Sequence, residues 1–220
     1  MTTPGKPWRR VAELGGLAVL LIRHAQSTYN ADKRFCGGRS DPPLDERGRE
    51  QAAALAQRFA GEVTRVYASP QQRALATAAV LRAEPPTVID ELRELDQGAL
   101  EGQAIDAALF QAHAEFFRAW KRDPTEVCIP GGGESMGEVA ERVVRGMARV
   151  LADHDAGPSS DGRGRGRVVA VVGHQMAQAA FVCQALGHPL RRWSEFELRN
   201  ATANLLVWDG RGWSLLGRNL

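Results

Sequence analysis

The sequence predicts an α/β protein in which helices cover both faces of a mostly parallel central sheet, a three-layer α/β/α arrangement. Short apolar runs at residues 17–22, 63–68 and 168–172 have the composition of buried parallel strands. Helical spacing of apolar residues follows each run, directly or after a loop, as is typical of a parallel sheet. A length of 220 residues suits one domain with a sizeable core, so residues 1–220 are expected to form a single domain.

The first predicted strand, residues 17–22, leads straight into an Arg-His dipeptide. A stretch rich in Gly, Pro, Asp and Ser at residues 25–44 predicts a long loop. Asp45 is placed to cap a helix, and Gly61 is placed to end it. A second strand is expected at residues 63–68.

The segment after the second strand predicts a helix that begins with a capping residue. Ser69 is a suitable N-cap, and Pro70 is well tolerated at the first helical position. Arg73 would then lie in the opening turn of that helix. A third strand is expected at residues 87–89, followed by a loop at residues 92–102.

The second half of the chain continues the alternation. Residues 104–121 have a partly amphipathic helical pattern, and Ser135 with Glu138 forms an S-x-x-E capping box at the start of another helix. The Gly/Ser/Arg-rich segment at residues 156–166 predicts a mobile surface loop. The most apolar strand, residues 168–172, comes next.

The C-terminal part begins with a helix that follows this strand and extends to residue 186. The rest of the chain contains short apolar stretches separated by polar residues. We expect short strands there, at residues 196–198, 205–208 and 213–216.

The composition argues against several classes of protein. The 28 basic and 26 acidic residues give a net charge of +2, which is too balanced for a nucleic-acid surface. The cysteines Cys36, Cys128 and Cys183 form no C-x-x-C pair, which favours free thiols in a reducing cytosol. The apolar run at residues 17–22 is too short for a signal peptide or a membrane span. We therefore expect a cytoplasmic protein with neither membrane nor nucleic-acid partners.

Polar residues follow several of the predicted strands. Arg23 and His24 follow the first strand, residues 69–73 the second, Glu94 the third, and His174 the most apolar one. Because ligands bind at the carboxyl ends of the strands in such sheets, one pocket can collect all of these groups.

This set of residue types suits the cleavage of a phosphomonoester. The planar fork of arginine pairs with phosphate oxygens, neutral histidine is a nucleophile for phosphorus, and a carboxylic acid can protonate the leaving oxygen. Taken singly, His24 or His174 is more often a structural histidine, and Arg73 a solvated arginine. Their combination makes His24 the candidate nucleophile.

A series of motifs runs in order through nearly the whole chain. R-H-A-Q-S-T-Y-N at residues 23–30 resembles the R-H-G-E-T-x-x-N opening of the histidine phosphatase superfamily, which includes cofactor-dependent phosphoglycerate mutases. The spacing of Gly, Asp, Leu and Gly at residues 37–48 resembles the loop that follows it. Residues 69–78 resemble S-P-x-x-R-A-x-x-T-A, and residues 92–102 resemble L-x-E-x-x-x-G-x-x-E-G. The remaining matches are at residues 132–135 and 172–174.

The resemblance implies a metal-independent phosphomonoester hydrolase that needs no cofactor and forms a phosphohistidine at His24. The residues that it implies as ligands of the phosphoryl oxygens are Arg23, Asn30, Arg73 and His174. Glu94 would be the general acid and later the base, with Asp96 and Glu101 as rivals. Backbone at Cys36 and Gly37, and the Gln175 side chain, would line the substrate.

The chain departs from the family pattern at four positions. Ala25 and Gln26 replace the usual Gly-Glu, Leu100 replaces a usual Trp, and Gln175 replaces a usual Gly. These changes affect the shape of the pocket and remove no catalytic group. A small phosphorylated metabolite is the expected substrate. Residues 103–130 and the loop after His24 should decide its identity, and the oligomeric state stays open.

Three alternatives remain. A phosphoglycerate mutase of the same fold is disfavoured because residues 103–130 lack a long basic, aromatic insertion. A serine esterase would use Ser135 within G-E-S-M-G and His174, but a proline and three glycines stand where a strand should lead into the serine. A catalytically weak phosphate-binding module would be expected to lose His24 or Glu94, and both are present.

Overall fold

A computed structural model describes residues 6–14, 16–155 and 167–220, and its centre is a mixed sheet. Within these residues the strands are β1 (Leu17–Arg23), β2 (Arg65–Ala68), β3 (Thr87–Val88), β4 (Val168–Gly173), β5 (Ala203–Trp208) and β6 (Trp213–Gly217). Their order across the sheet is β3-β2-β4-β1-β5-β6. The first four strands in this order run parallel to one another, whereas β5 is antiparallel to β1 and β6 is antiparallel to β5. The prediction of a mostly parallel sheet is confirmed.

Helices pack on both faces of the sheet. They are α1 (Pro7–Glu13), α2 (Thr28–Ala31), α3 (Glu46–Phe59), α4 (Gln72–Ala79), α5 (Ala107–Ala112), α6 (Ala114–Arg122), α7 (Met136–Asp155) and α8 (Gln175–Ala185). Side chains of β1 alternate between two cores: Val19 packs with residues of α7 and α8, and Leu20 with residues of α1, α3 and α4. This alternation follows from the period of two of a strand and confirms the α/β/α layers.

Two predicted helix caps are present as expected. Asp45 Oδ1 accepts a hydrogen bond from the Gly48 amide at 2.6 Å and begins α3. Ser135 and Glu138 each accept from the other's backbone amide, at 3.2 and 2.8 Å, which completes the capping box of α7. The sequence signals for both helix starts are therefore confirmed.

Two predictions in the first half of the chain are wrong in detail. The helix after β2 has Gln71 as its N-cap and begins at Gln72, because the Ser69 hydroxyl is engaged with His174. The loop predicted at residues 25–44 contains the short helix α2.

Two further differences lie in the second half. The helical pattern at residues 104–121 is divided into α5 and α6, because the backbone of His113 leaves the helical conformation between them. The strand expected at residues 196–198 is wrong, since Phe196 is the last residue of the 3₁₀ helix Leu190–Phe196 and the next two residues have no regular structure. The loop predicted at residues 156–166 lies outside the described residues. Of the helices that the structure describes, none combines the length and apolar character needed to cross a bilayer.

Candidate active site

The candidate site lies at the carboxyl edge of β1, β2 and β4. In the parallel pairing of β1 with β4, Arg23 is opposite Gly173, so the next residue on each strand is a histidine. The rings of His24 and His174 are consequently neighbours, with their centroids 5.1 Å apart. The sheet register therefore brings together two residues that are 150 positions apart in sequence.

The His24 ring is buried, with 3% of its residue surface exposed. Its Nδ1 lies 2.7 Å from the carbonyl oxygen of Ala25, which can only accept a hydrogen bond. Nδ1 therefore carries the ring proton, and the lone pair is on Nε2. Burial lowers the pKa of His24 well below 6.5, and the charges of Arg73 and Arg23 lower it further. A neutral imidazole with a free lone pair is suited to nucleophilic attack.

The second histidine, His174, is completely buried at the end of β4. Its Nε2 lies 2.8 Å from the Ser69 hydroxyl, whereas its Nδ1 is buried without a hydrogen-bond partner. Burial, followed by the charge of Arg73, lowers the pKa of His174 well below 6.5. Ser69 thus orients the ring so that Nδ1 is available to a ligand.

The Arg73 side chain is 0% exposed, which rules out a solvated arginine. Its Nη1 and Nη2 each donate to a loop carbonyl, of Ser40 and Gly37 respectively, at 3.0 Å. Its Nε is buried without a partner. The Asp41 carboxylate lies 3.7 Å away on the solvent side. The loop after α2 therefore holds the guanidinium and leaves one donor unsatisfied.

The other arginine, Arg23, is held by one edge of its guanidinium. Its Nη1 donates to the side-chain oxygen of Gln175 and, at 2.7 Å, to the Leu198 carbonyl. Burial lowers its pKa. Its Nε, like Arg73 Nε and His174 Nδ1, is a buried polar atom without a partner. Buried polar atoms are nearly always hydrogen-bonded, and these three belong to two cationic side chains and a histidine close to His24, an arrangement that suits an anion.

The carboxylate of Glu94, whose residue is 5% exposed, lies at the N-terminus of α8. Its Oε1 accepts from the amides of Leu95 and Ala177 at 2.9 and 3.0 Å, and its Oε2 from the amide of Met176 at 3.2 Å. These backbone donors fix the carboxyl group beside the residues that follow His174. A carboxyl group in this position can exchange a proton with a ligand held by the histidines.

The rival carboxylates are committed to structural contacts. Asp96 pairs with Arg39 at 2.8 Å and accepts from the Gly98 amide. Glu101 accepts from the amides of Gly37, Arg39 and Ser40, and so ties down the loop that holds Arg73. Both rival carboxylates are thus engaged in contacts of this loop region, whereas Glu94 lies at the N-terminus of α8, which directly follows His174.

The remaining predicted ligands surround this cluster. Asn30, on α2, accepts a hydrogen bond from the Ser27 amide through its Oδ1. A Cβ on Gly37 would lie 2.3 Å from a Glu101 carboxylate oxygen, so only glycine allows its carbonyl to reach Arg73. Burial raises the pKa of the half-buried Cys36 thiol, which is near the same arginine.

The four departures from the family pattern have separate explanations. The Gln26 side chain turns away and donates to Asp45 at 2.8 Å, while Ala25 and Leu100 are fully packed in the interior. The Gln175 side-chain oxygen accepts from Arg23. The alternative nucleophile Ser135 caps α7 and is not the partner of His174.

Four residues hold the site in place in ways that the sequence did not predict, although residues 69–73 were expected in the pocket. Gln71 donates to two loop carbonyls and accepts from the Glu94 amide, and Ser69 orients His174. Arg142 donates to the Glu94 carbonyl and forms a paired salt bridge with Glu134. Asn200 is the fourth. Ser69 and Gln71 lay within a recognised motif, whereas nothing in the local sequence marked the other two.

Known proteins resemble this chain over nearly its whole length. The family profile described as "Histidine phosphatase superfamily (branch 1)" matches residues 19–220. Phosphoserine phosphatase 1 of Hydrogenobacter thermophilus is 32% identical over 206 residues, 92% of each chain. Phosphoglycerate mutase-like protein 4 of Arabidopsis thaliana is 27% identical over 203 residues, 90% of this chain and 82% of that protein. The structure of a mycobacterial glucosyl-3-phosphoglycerate phosphatase complexed with VO3 is 29% identical with a TM-score of 0.76, covering 93% of this chain and 98% of that one.

Proposed function

The chain belongs to the histidine phosphatase superfamily, branch 1, and is a phosphatase; from that premise we propose that it hydrolyses a small phosphorylated metabolite through a phosphohistidine at His24. One observation carries the proposal. A buried, neutral His24 has its ring proton held by a backbone carbonyl, next to three buried polar atoms that lack partners. A phosphoryl group would satisfy all three. The match over residues 19–220 supports a single catalytic domain.

The reaction has two balanced steps. His24 Nε2 attacks phosphorus and forms the P–N bond while the bond to the leaving oxygen breaks, and Glu94 gives that oxygen a proton. A water molecule then attacks the phosphohistidine, Glu94 accepts its proton, and the P–N bond breaks to release inorganic phosphate. Arg23, Arg73 and His174 stabilise the charge on the equatorial oxygens in both steps.

The substrate class rests on the relatives. The Hydrogenobacter and mycobacterial proteins are named as phosphatases of phosphoserine and glucosyl-3-phosphoglycerate, which are small phosphomonoesters. A phosphomonoester of this size is the proposed substrate here. We call the residues proposed to bind the phosphoryl group, Arg23, Arg73 and His174, the phosphoryl cradle. The α5–α6 segment lies outside this set and is the proposed source of substrate selectivity.

The test is to trap the phosphoenzyme. We expect turnover of p-nitrophenyl phosphate in excess EDTA, and quenched turnover should leave an acid-labile, base-stable phosphate on His24. His24→Ala should lose both activity and label, while His113→Ala, on the α5–α6 segment, serves as the matched control. Loss of activity on chelation, or an active His24→Ala variant, would contradict the proposal.

The same preparation distinguishes a phosphatase from a mutase. The enzyme is incubated with labelled 3-phosphoglycerate and 2,3-bisphosphoglycerate, and both isomerisation and phosphate release are measured. Slow release of phosphate without isomerisation supports a phosphatase. Rapid formation of 2-phosphoglycerate with little free phosphate would show that the mutase alternative is correct.

A further inference from the structure

Asn200 lies in the loop between the 3₁₀ helix Leu190–Phe196 and β5, and it contacts the backbone of the proposed nucleophile. Its Nδ2 donates to the carbonyl of His24 at 3.0 Å and to Oδ1 of Asn30 at 3.2 Å. The next amide in the loop, that of Ala201, also donates to the His24 carbonyl, at 3.3 Å. The C-terminal loop is therefore fastened to the nucleophile and to a proposed phosphoryl ligand.

The backbone of this loop is strained at the point of contact. Ala201 has a φ of +53°, a left-handed conformation that costs roughly 1–2 kcal/mol for a residue with a Cβ. Such a conformation persists only where the surrounding contacts impose it. Here those contacts are the bonds from residues 200 and 201 to the carbonyls at the end of β1.

The orientation of both side-chain amides is fixed by backbone groups. The Ser27 amide can only donate, so the Asn30 atom 3.1 Å from it must be the oxygen. The His24 carbonyl can only accept, so the Asn200 atom facing it must be the nitrogen. Neither amide can be reversed without placing like groups together.

The consequence concerns the other end of the Asn30 amide. Its Oδ1 accepts three hydrogen bonds, from the Ser27 amide at 3.1 Å, the Ser27 hydroxyl at 3.0 Å and Asn200 Nδ2 at 3.2 Å. Its Nδ2 points away from these donors and donates to no other residue in the described part of the chain. Both N–H groups are thus kept for an external acceptor.

We propose that Asn200 is a positioning residue that holds the Asn30 amide with its nitrogen toward the phosphoryl group. The inference rests on the proposed function, in which Asn30 binds a phosphoryl oxygen. Asn200 and Ser27 both direct N–H donors at Asn30 Oδ1, so exchanging the oxygen and nitrogen of the Asn30 amide would place donors against donors. Asn200 also links the Asn30 amide to the backbone of His24.

The test is a double-mutant cycle on kcat/KM for p-nitrophenyl phosphate. In Asn200→Asp, a carboxylate oxygen replaces the donor, repels Asn30 Oδ1 and attracts Asn30 Nδ2 away from the substrate. We expect kcat/KM to fall about ten- to a hundredfold, and the competitive inhibition constant of inorganic phosphate to rise by a similar factor. In an Asn30→Ala background the same substitution should cost at least about threefold less than in the wild type, because there is no amide left to orient and only the contact with the His24 carbonyl is lost.

The control is Asn219→Ala, which removes contacts to the same C-terminal loop without touching Asn30. Asn219→Ala should change kcat/KM by the same factor in the wild-type and the Asn30→Ala background. Equal losses from Asn200→Asp in both backgrounds would overturn the proposal, as would an Asn30→Ala variant with unchanged kcat/KM. If the proposed function itself is wrong, the wild-type protein forms no phosphohistidine, and this result differs from either outcome of the mutant cycle. Thermal unfolding of every variant confirms that it is folded.

Discussion

Replacing Glu94 with glutamine tests whether this residue is the general acid, and the structure shows what else the substitution changes. Both carboxylate oxygens accept from backbone amides, those of Leu95, Met176 and Ala177. Glutamine has one acceptor oxygen, so its NH₂ group must face at least one of these N–H donors. Losing that buried bond should lower the free energy of unfolding by about 1–3 kcal/mol. Although glutamine keeps the shape of the side chain, it does not keep its hydrogen bonding.

The catalytic effect is larger and depends on the leaving group. A p-nitrophenolate departs without much help, whereas an alkoxide needs a proton in the transition state. We expect Glu94→Gln to slow phosphorylation by an alkyl phosphate such as O-phosphoserine on the order of 10²–10⁴-fold, and by p-nitrophenyl phosphate far less. Misplacement of α8 would affect both substrates alike, so the ratio of the two losses isolates proton transfer.

The assay is single-turnover phosphorylation of the enzyme, because the proposed mechanism also uses Glu94 as the base in the later hydrolysis. Asp96→Asn is the matched control, since Asp96 is a nearby carboxylate paired with Arg39. It should show no dependence on the leaving group. Equal losses for both substrates in Glu94→Gln, or a leaving-group dependence in Asp96→Asn, would refute the assignment.

The remaining predictions concern protonation, stability and the departure at Gln175. The pKa of His24 lies well below 6.5, so this histidine should stay neutral between about pH 5 and 8. After correction for substrate ionisation, kcat/KM should therefore not fall near pH 6.5 as the pH is lowered. The basic residues of the N-terminal segment lower the pKa of Glu62 from 4.5 to about 2, so its stabilisation is present above about pH 4.5 and is lost as the pH falls toward 2. In urea denaturation at neutral pH, Glu62→Gln should lower the free energy of unfolding by about 1–2 kcal/mol. The loss is no larger because the basic partners of Glu62 are largely exposed. The difference in stability between the variant and the wild type should vanish near pH 2. Gln175→Gly removes an acceptor of Arg23 and should raise KM for an alkyl phosphate about three- to tenfold, whereas Gln184→Ala on the same helix should not.

The elements that could be predicted are those whose signal is local. The apolar run that forms β1, the Asp45 cap and the Ser135–Glu138 capping box each depend on residues within a few positions of one another. Phe196 and Leu198 are buried, but the composition of so short a stretch does not distinguish a strand from the end of a 3₁₀ helix and the residues after it. Ser69 was interpreted as a helix cap because its partner, His174, is remote in sequence.

The same reasoning explains which parts of the site could be predicted. His24, Arg73 and His174 follow strands or open a helix, and the rule for parallel sheets brings such positions together. Asn200 and Arg142 support the site through contacts to backbone carbonyls of distant segments. An asparagine or arginine that binds a carbonyl leaves no periodic pattern, so only the three-dimensional arrangement identifies it.

The phosphoryl cradle and the selectivity of the enzyme have separate structural origins. The cradle follows from the register of β1 and β4 and from a loop fastened by Glu101, and these contacts do not involve the α5–α6 segment. Each of its buried polar atoms without a partner costs roughly 1–3 kcal/mol of folding free energy, and the proposed phosphoryl group would offset that cost. That energy is the same for any phosphomonoester. The proposed mechanism therefore assigns discrimination between substrates to contacts with the rest of the substrate, made by segments outside the cradle.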